Sequence, residues 1–192
     1  VAHVRRELSP VEAGRFFVYG SHDADKVPPG KHALLIEAAM AFGTGHHGTT
    51  LGCLRALDRL ADSGFIAARA VDIGCGTAVL AMAAAAIWPD GVTASDIDAQ
   101  AVEVAEANLT ANAMAERVHV VEAAGFDHPD LDGPFDLIFI DADKPSTPDY
   151  FDWAVKLARA GSFIVVDNVV REGAILAHAA RCRGSCRAER RA

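Results

Sequence analysis

The sequence predicts an α/β fold with a doubly wound, mostly parallel sheet, and three observations carry that expectation. Between residues 70 and 167, strand-length apolar runs alternate with helix-length stretches, the pattern of strands covered by helices on both faces. The segment 70–78, AVDIGCGTA, carries an apolar strand into a Gly-x-Gly turn and then a small-residue helix. At 192 residues, with 51% hydrophobic and 23% charged residues, the chain can bury one substantial core as a single domain.

The elements follow in order. Residues 15–19 (RFFVY) form a β-rich run, and 20–29 a polar turn containing HDADK and a pair of prolines. Residues 33–40 fit a strand or a short helix, and periodicity alone does not decide between them. The glycines of 42–50, FGTGHHGTT, mark a loop. A helix is expected from about 50 to 61, with Leu51, Leu54, Leu57 and Leu60 at helical spacing and Gly64 beyond its end. Then come strand 70–73, helix 77–88, strand 91–95, helix 99–113 capped by Asp98, and strand 118–121. A polar loop with Asp127, Pro129 and Gly133 leads to strand 135–140, helix 148–159 and strand 162–166. The domain is expected to span 1–180, with an N-terminal segment and cofactor loop in 1–50, the core sheet in 70–167, and an Arg-rich tail in 181–192.

Composition excludes some functions. A net charge of −8 gives no footprint for nucleic acid or an anionic membrane. The five arginines after residue 180 read as a solvated terminus. No secretory signal or membrane-length apolar run is visible; the stretch 79–88 is only ten residues. Cys53, Cys75, Cys182 and Cys186 show no disulfide framework, so a reducing cytoplasm is the expected compartment. Cys182 and Cys186 lack a second pair at zinc spacing, and the neighbours His46 and His47 read as loop residues near the cofactor. Cys75, Trp88 and Trp153 read as packing residues. Oligomeric state is not legible.

The candidate site begins at the glycine turn. Gly74 and Gly76 let the backbone bend and approach a ligand, and Asp96, twenty residues past Gly76, stands where it can accept from two ribose hydroxyls. The dinucleotide fingerprint wants glycine where Val79 stands, which disfavours a pyrophosphate. Asp72 adds a carboxylate that suits a cationic ligand. Together these favour S-adenosylmethionine, which has an ammonium, a sulfonium and no phosphate. Asp72, Asp96, Asp141 and Asp167 all fall at or near the carboxyl ends of expected strands, where such sheets bind ligands.

Residues 4–132 resemble the bacterial ribosomal protein L11 methyltransferases, through RFFVYGSHDADK (15–26), AFGTGHHGTT (41–50), DIGCGTAVLA (72–81) and ASDIDAQAVEVAEANLTANA (94–113). That resemblance implies a Rossmann-like methyltransferase sheet, with Phe42, Thr50, Asp72, Gly74, Gly76 and Asp96 on the cofactor and a ribosomal protein as acceptor. Where the family has Asn-Ile-Leu after the fourth strand, this chain has Asp141, Ala142 and Asp143. Residues 133–174 instead look like the divalent-metal-dependent, catechol-type O-methyltransferases, through FDLIFIDADKPSTPDYFDWAVKLARAGSFIVVDNVVREGA (135–174). This second resemblance implies Mg²⁺ or Ca²⁺ on Asp141, Asp167 and Asn168, with Lys144 as general base and a small hydroxylated aromatic acceptor. Three hard oxygen ligands on adjacent strand ends suit such an ion, although a strand-end turn or helix cap explains each residue taken singly. After residue 180 no strand pattern remains, so the sheet is expected to lack the last two strands of the methyltransferase fold. The alternatives are protein N-methylation, metal-dependent O-methylation, and a cofactor-binding fragment without turnover.

Overall fold

A computed structural model describes residues 10–36, 47–167 and 169. The N-terminal part builds a three-stranded sheet from β1 (Val11–Ala13), β2 (Phe16–Tyr19) and β3 (His32–Leu35). β1 and β2 are antiparallel, and β3 lies parallel to β2. The connection to β3 contains a 3₁₀ turn over Ser21–Lys26, in which buried Asp23 takes the Lys26 ammonium at 2.6 Å. The strand-or-helix ambiguity at 33–40 thus resolves to a strand as far as Leu35; residues 37–40 lie outside the described residues.

The main sheet follows. Its elements are α1 (His47–Asp62), β4 (Ala70–Ile73), α2 (Val79–Ile87), β5 (Val92–Asp96), α3 (Ala99–Ala111), β6 (Val118–Glu122), β7 (Phe135–Ile140), α4 (Thr147–Leu157) and β8 (Ala158–Val166). The strand order is β6-β5-β4-β7-β8, and all four pairings are parallel. Alternate residues face opposite ways. Ala70, Val92, Ala94, Val118, Leu137 and Phe139 join a core with residues of α1, α2 and α3. Val71, Ile73, Val121, Ile138 and Ile140 join a second core with Ala154 of α4. The expected doubly wound sheet is the one found. Ala13, Phe16, Val18 and Leu34 of the small sheet share the first core with Leu54, Leu57 and Met82, which binds the N-terminal strands to α1 and α2.

Several boundaries differ from those read in the sequence, each for a local reason. α1 already includes residues 47–50, which the glycines suggested were loop. α2 begins two residues late because Ala78 takes a left-handed backbone (φ 60). β8 begins early, directly after α4, and loops out residues 159–162 between the pairings Phe135↔Ala158 and Leu137↔Phe163. Ser162 fastens that loop: its hydroxyl donates to the Phe135 carbonyl at 2.6 Å and accepts from the Arg159 amide at 3.0 Å. Trp88 packs as expected, edge-on to Phe65 with centroids 5.7 Å apart. Trp153 does not: it is 51% exposed, with the Lys156 ammonium over its ring, because it lies on the outer side of α4. Residues 170–192, including the Arg-rich tail and any final strands, lie outside the described residues. Among the described residues, no helix is long and apolar enough to cross a membrane.

Asn112, just past α3, ties that helix to the small N-terminal sheet. Its side-chain oxygen accepts from the Leu35 amide at 2.8 Å, and its side-chain nitrogen donates to the Leu35 carbonyl at 2.7 Å and the Asn108 carbonyl at 2.8 Å. The amide side chain thus acts as a strand partner for the end of β3. Asn112→Ala, which leaves both Leu35 backbone groups without that partner, is expected to lower unfolding free energy by about 1–3 kcal/mol in urea titrations.

Candidate functional site

The chain leaves β4 through α2 to reach β5 on one side, and returns on the other side of β4 as β7. Strand order reverses there, and doubly wound sheets hold ligands beyond the carboxyl ends at that point. A crevice of about 360 Å³ opens there, within the size range of small-molecule sites. Thr50, Asp72, Gly74, Gly76, Asp96, Asp141, Lys144 and Asp167 all line it. Of the residues singled out in the sequence, Phe42 and Asn168 lie outside the described residues, as does His46.

The turn after β4 is fixed by its neighbour strand. The Gly74 and Cys75 amides both donate to the Ser95 carbonyl, at 2.8 and 2.9 Å. The Gly76 amide donates to Asp96 Oδ2 at 2.9 Å. The two glycines do different work. Gly74 has φ +79, and a Cβ there would lie 2.6 Å from Ala142 Cα and 2.7 Å from the Asp141 carbonyl oxygen. It is small because the loop after β7 packs against it. Gly76 has φ +51 and would meet nothing within 4 Å, so its missing side chain leaves open space. Both glycines take the left-handed backbone that the bend requires, and Gly74 in addition leaves room for the loop after β7.

Asp96 ends β5 with both carboxylate oxygens engaged, Oδ2 by Gly76 and Oδ1 by the Asp98 amide at 3.0 Å. Each oxygen keeps a second lone pair for a ligand hydroxyl. Asp98 then caps α3, accepting from the Gln100 amide at 2.9 Å. α2 has no such cap of its own, since Ala78 offers no side-chain acceptor. Asp72 supplies it from the strand: Oδ2 accepts from the Ala81 amide at 3.1 Å. The other oxygen, Asp72 Oδ1, is buried with no hydrogen-bond partner. Burial, and next the charge of Asp141, push the Asp72 carboxyl up to about 7 against the helix amide that favours its ionised form. A buried orphaned carboxylate oxygen in a crevice is a place for a ligand cation.

Across the crevice, the Lys144 ammonium donates to Asp141 Oδ1 at 2.9 Å. Asp143, two residues on, has a structural part: it accepts from the Tyr150 hydroxyl at 2.6 Å and the Ser146 amide at 3.1 Å at the start of α4. Asp167 Oδ1 accepts from the Cys53 thiol at 3.9 Å. Burial, then Asp167 and Asp141, push the Cys53 thiol up to about 12, so it stays protonated. The sequence reading passed over Cys53 as a site residue, although it follows Thr50 by three positions and so shares its helix face. Among the described residues, no three His, Cys, Asp or Glu side chains come together to hold a metal ion. Two of the three residues expected to bind one, Asp141 and Asp167, line the crevice, and Asp141 already pairs with a lysine cation.

The raised Asp72 pKa sets the sign of a pH effect. A carboxyl held above its unfolded value of 3.8 favours the fold at low pH and loses that contribution as pH rises toward about 7. Unfolding free energies of wild type and Asp72→Asn, measured in urea across that window, are expected to diverge. Wild type loses stability relative to the variant as pH rises.

Comparison with known proteins places this geometry. The family model of ribosomal protein L11 methyltransferase (PrmA) matches residues 1–141. The L11 methyltransferase of Brucella abortus (strain S19) is 48% identical over 140 residues, covering 72% of this chain and 49% of that protein. The chain therefore spans about half the length of the curated relatives it matches. The crystal structure of ribosomal protein L11 methylase from Lactobacillus delbrueckii subsp. bulgaricus shares the fold, with a TM-score of 0.70 at 20% identity, covering 88% of this chain and 86% of that one. The O-methyltransferase TomG from Streptomyces achromogenes, solved with SAM, is 33% identical with a TM-score of 0.55, covering 71% of this chain and 61% of that one. The match over residues 1–141, which contains the whole glycine turn and Asp96, shows that the chain belongs to the ribosomal protein L11 methyltransferase family.

Proposed function

We propose that this chain is an S-adenosylmethionine-dependent methyltransferase acting on amines of a ribosomal protein. One observation carries the reading: Asp72, whose Oδ1 is buried without a hydrogen-bond partner, and Asp96 line one crevice together with the glycine turn. That donor set fits the cofactor. Asp72 would take the amino group of the methionine moiety, Asp96 the ribose hydroxyls, and the space left by Gly76 the ligand's approach to the backbone. Thr50 lines the same crevice from α1. The relatives named as L11 methyltransferases support the acceptor class, and a SAM complex of TomG supports the cofactor.

When bound, the cofactor supplies a methyl group on a sulfonium, electrophilic and already cationic. The chain's own residues then have to hold an amine near that methyl and remove its proton. Asp141 is placed for this, with Oδ1 at 2.9 Å from a primary ammonium in the resting structure. A carboxylate within hydrogen-bond reach is the geometry general-base work requires.

A second reading, transfer to a hydroxyl of a small aromatic acceptor, is favoured by one observation, the presence of Asp141, Lys144 and Asp167 in a single crevice. Lys144 would then be the base. A divalent ion would compete with the Lys144 ammonium for Asp141.

Two measurements test the proposal. Asp96→Ala is expected to weaken S-adenosylmethionine binding by about 1–3 kcal/mol in calorimetry, the scale of lost hydrogen bonds to a charged group; unchanged affinity would remove the ribose assignment. Purified ribosomal protein L11 incubated with the chain and cofactor, without added metal, is expected to gain methyl groups by mass spectrometry. Transfer only to a catechol, and only with Mg²⁺, would favour the second reading.

A further inference from the structure

We propose that Lys144 is itself a methyl acceptor, so that the chain methylates its own crevice lysine; this rests on the reading of the crevice as an S-adenosylmethionine site. The sequence contains four lysines. Lys26 sits on Asp23, Lys31 on Glu12, and Lys156 over the Trp153 ring. Lys144 alone among them lines the crevice that Gly74, Gly76, Asp72 and Asp96 also line. It is a primary amine, the same nucleophile a protein acceptor would present.

The backbone delivers it there. Lys144 belongs to the loop after β7, and that loop abuts the cofactor turn closely enough that a Cβ on Gly74 would lie 2.6 Å from Ala142 Cα. Its side chain is 29% exposed and anchored by Asp141 Oδ1 at 2.9 Å. A tethered, oriented amine competes at high effective concentration against any acceptor that must diffuse in.

The transfer needs only the Lys144–Asp141 pair and S-adenosylmethionine. The ammonium of Lys144 passes a proton to the Asp141 carboxylate, which already accepts from it. The freed lone pair forms the N–CH₃ bond as the C–S bond breaks. The sulfonium takes that electron pair and leaves as the neutral thioether S-adenosylhomocysteine. The product is the secondary ammonium, and Asp141 passes the proton it took to water.

The test uses the full chain with S-adenosylmethionine and no other acceptor. Calorimetry establishes cofactor binding, and peptide mapping by mass spectrometry locates any added methyl group. The expected result is one methyl increment on Lys144, exceeding that on Lys26, Lys31 or Lys156 by more than about tenfold, as a tethered reaction should. Its rate should not depend on protein concentration, and Lys144→Arg should lack the increment. Cofactor binding with no methyl on Lys144, or with methyl only on the other lysines, would overturn the inference while leaving the cofactor site standing. Absence of cofactor binding would overturn the cofactor reading and this inference together.

Discussion

The grip of β5 on the turn after β4 is the constraint on which the rest depends. One carbonyl, that of Ser95, takes both the Gly74 and Cys75 amides, and one carboxylate, that of Asp96, takes the Gly76 amide. Ser95 is fully buried, so these bonds form away from competing water. The strand that carries Asp96 is therefore also the strand that shapes the glycine bend. A shift of β5 against β4 would move both halves of the crevice at once. The third wall is set by contact and by a hydrogen bond: the loop after β7 packs directly on Gly74, and its Asp141 amide donates to the Ile73 carbonyl at 2.9 Å.

Charge gives the crevice its chemical preference. Asp72, Asp96, Asp141 and Asp167 converge there with Lys144 as a lining cation. The field of the carboxylates adds to burial in lifting the Asp72 carboxyl and the Cys53 and Cys75 thiols. Such surroundings resist further negative charge and favour a ligand that is positive when bound. The same surroundings keep the two buried thiols protonated, so neither Cys53 nor Cys75 behaves as a nucleophile.

Much of this was legible beforehand, because the signals were local. The alternation of apolar runs gave all five core strands, and the Gly-x-Gly spacing followed by an acid located the crevice. Asp98 announced the start of α3 by a short-range rule that the structure obeys. What escaped was tertiary. Asp72 capping α2 from nine residues upstream is a contact across a turn, invisible to any rule about adjacent residues. The extra residues in β8 depend on Ser162 finding the Phe135 carbonyl. Trp153 looked like core because tryptophan usually is, but a helix has an outer side and composition does not say which residue lies on it. Residues 133–174 also resembled a second family whose sheet has the same layout, so the fold could be read with the acceptor still open.

α2 has a consequence of its own. Seven of its nine residues, from Val79 to Ala85, are buried, and Ala83, Ala84 and Ala85 are fully so. Its neighbours include α1, β3, β4 and β5, which places it as the partition between the small N-terminal sheet and the main one. Alanine is the thinnest side chain that still favours a helix, so this partition is about as slim as a helix can be made. Its thickness sets the spacing of both sheets, and a single added methyl group along it would have to be absorbed by one of them. Divergence of the sequence along α2 is accordingly confined by volume as much as by polarity, and the tolerance for larger residues lies elsewhere in the molecule.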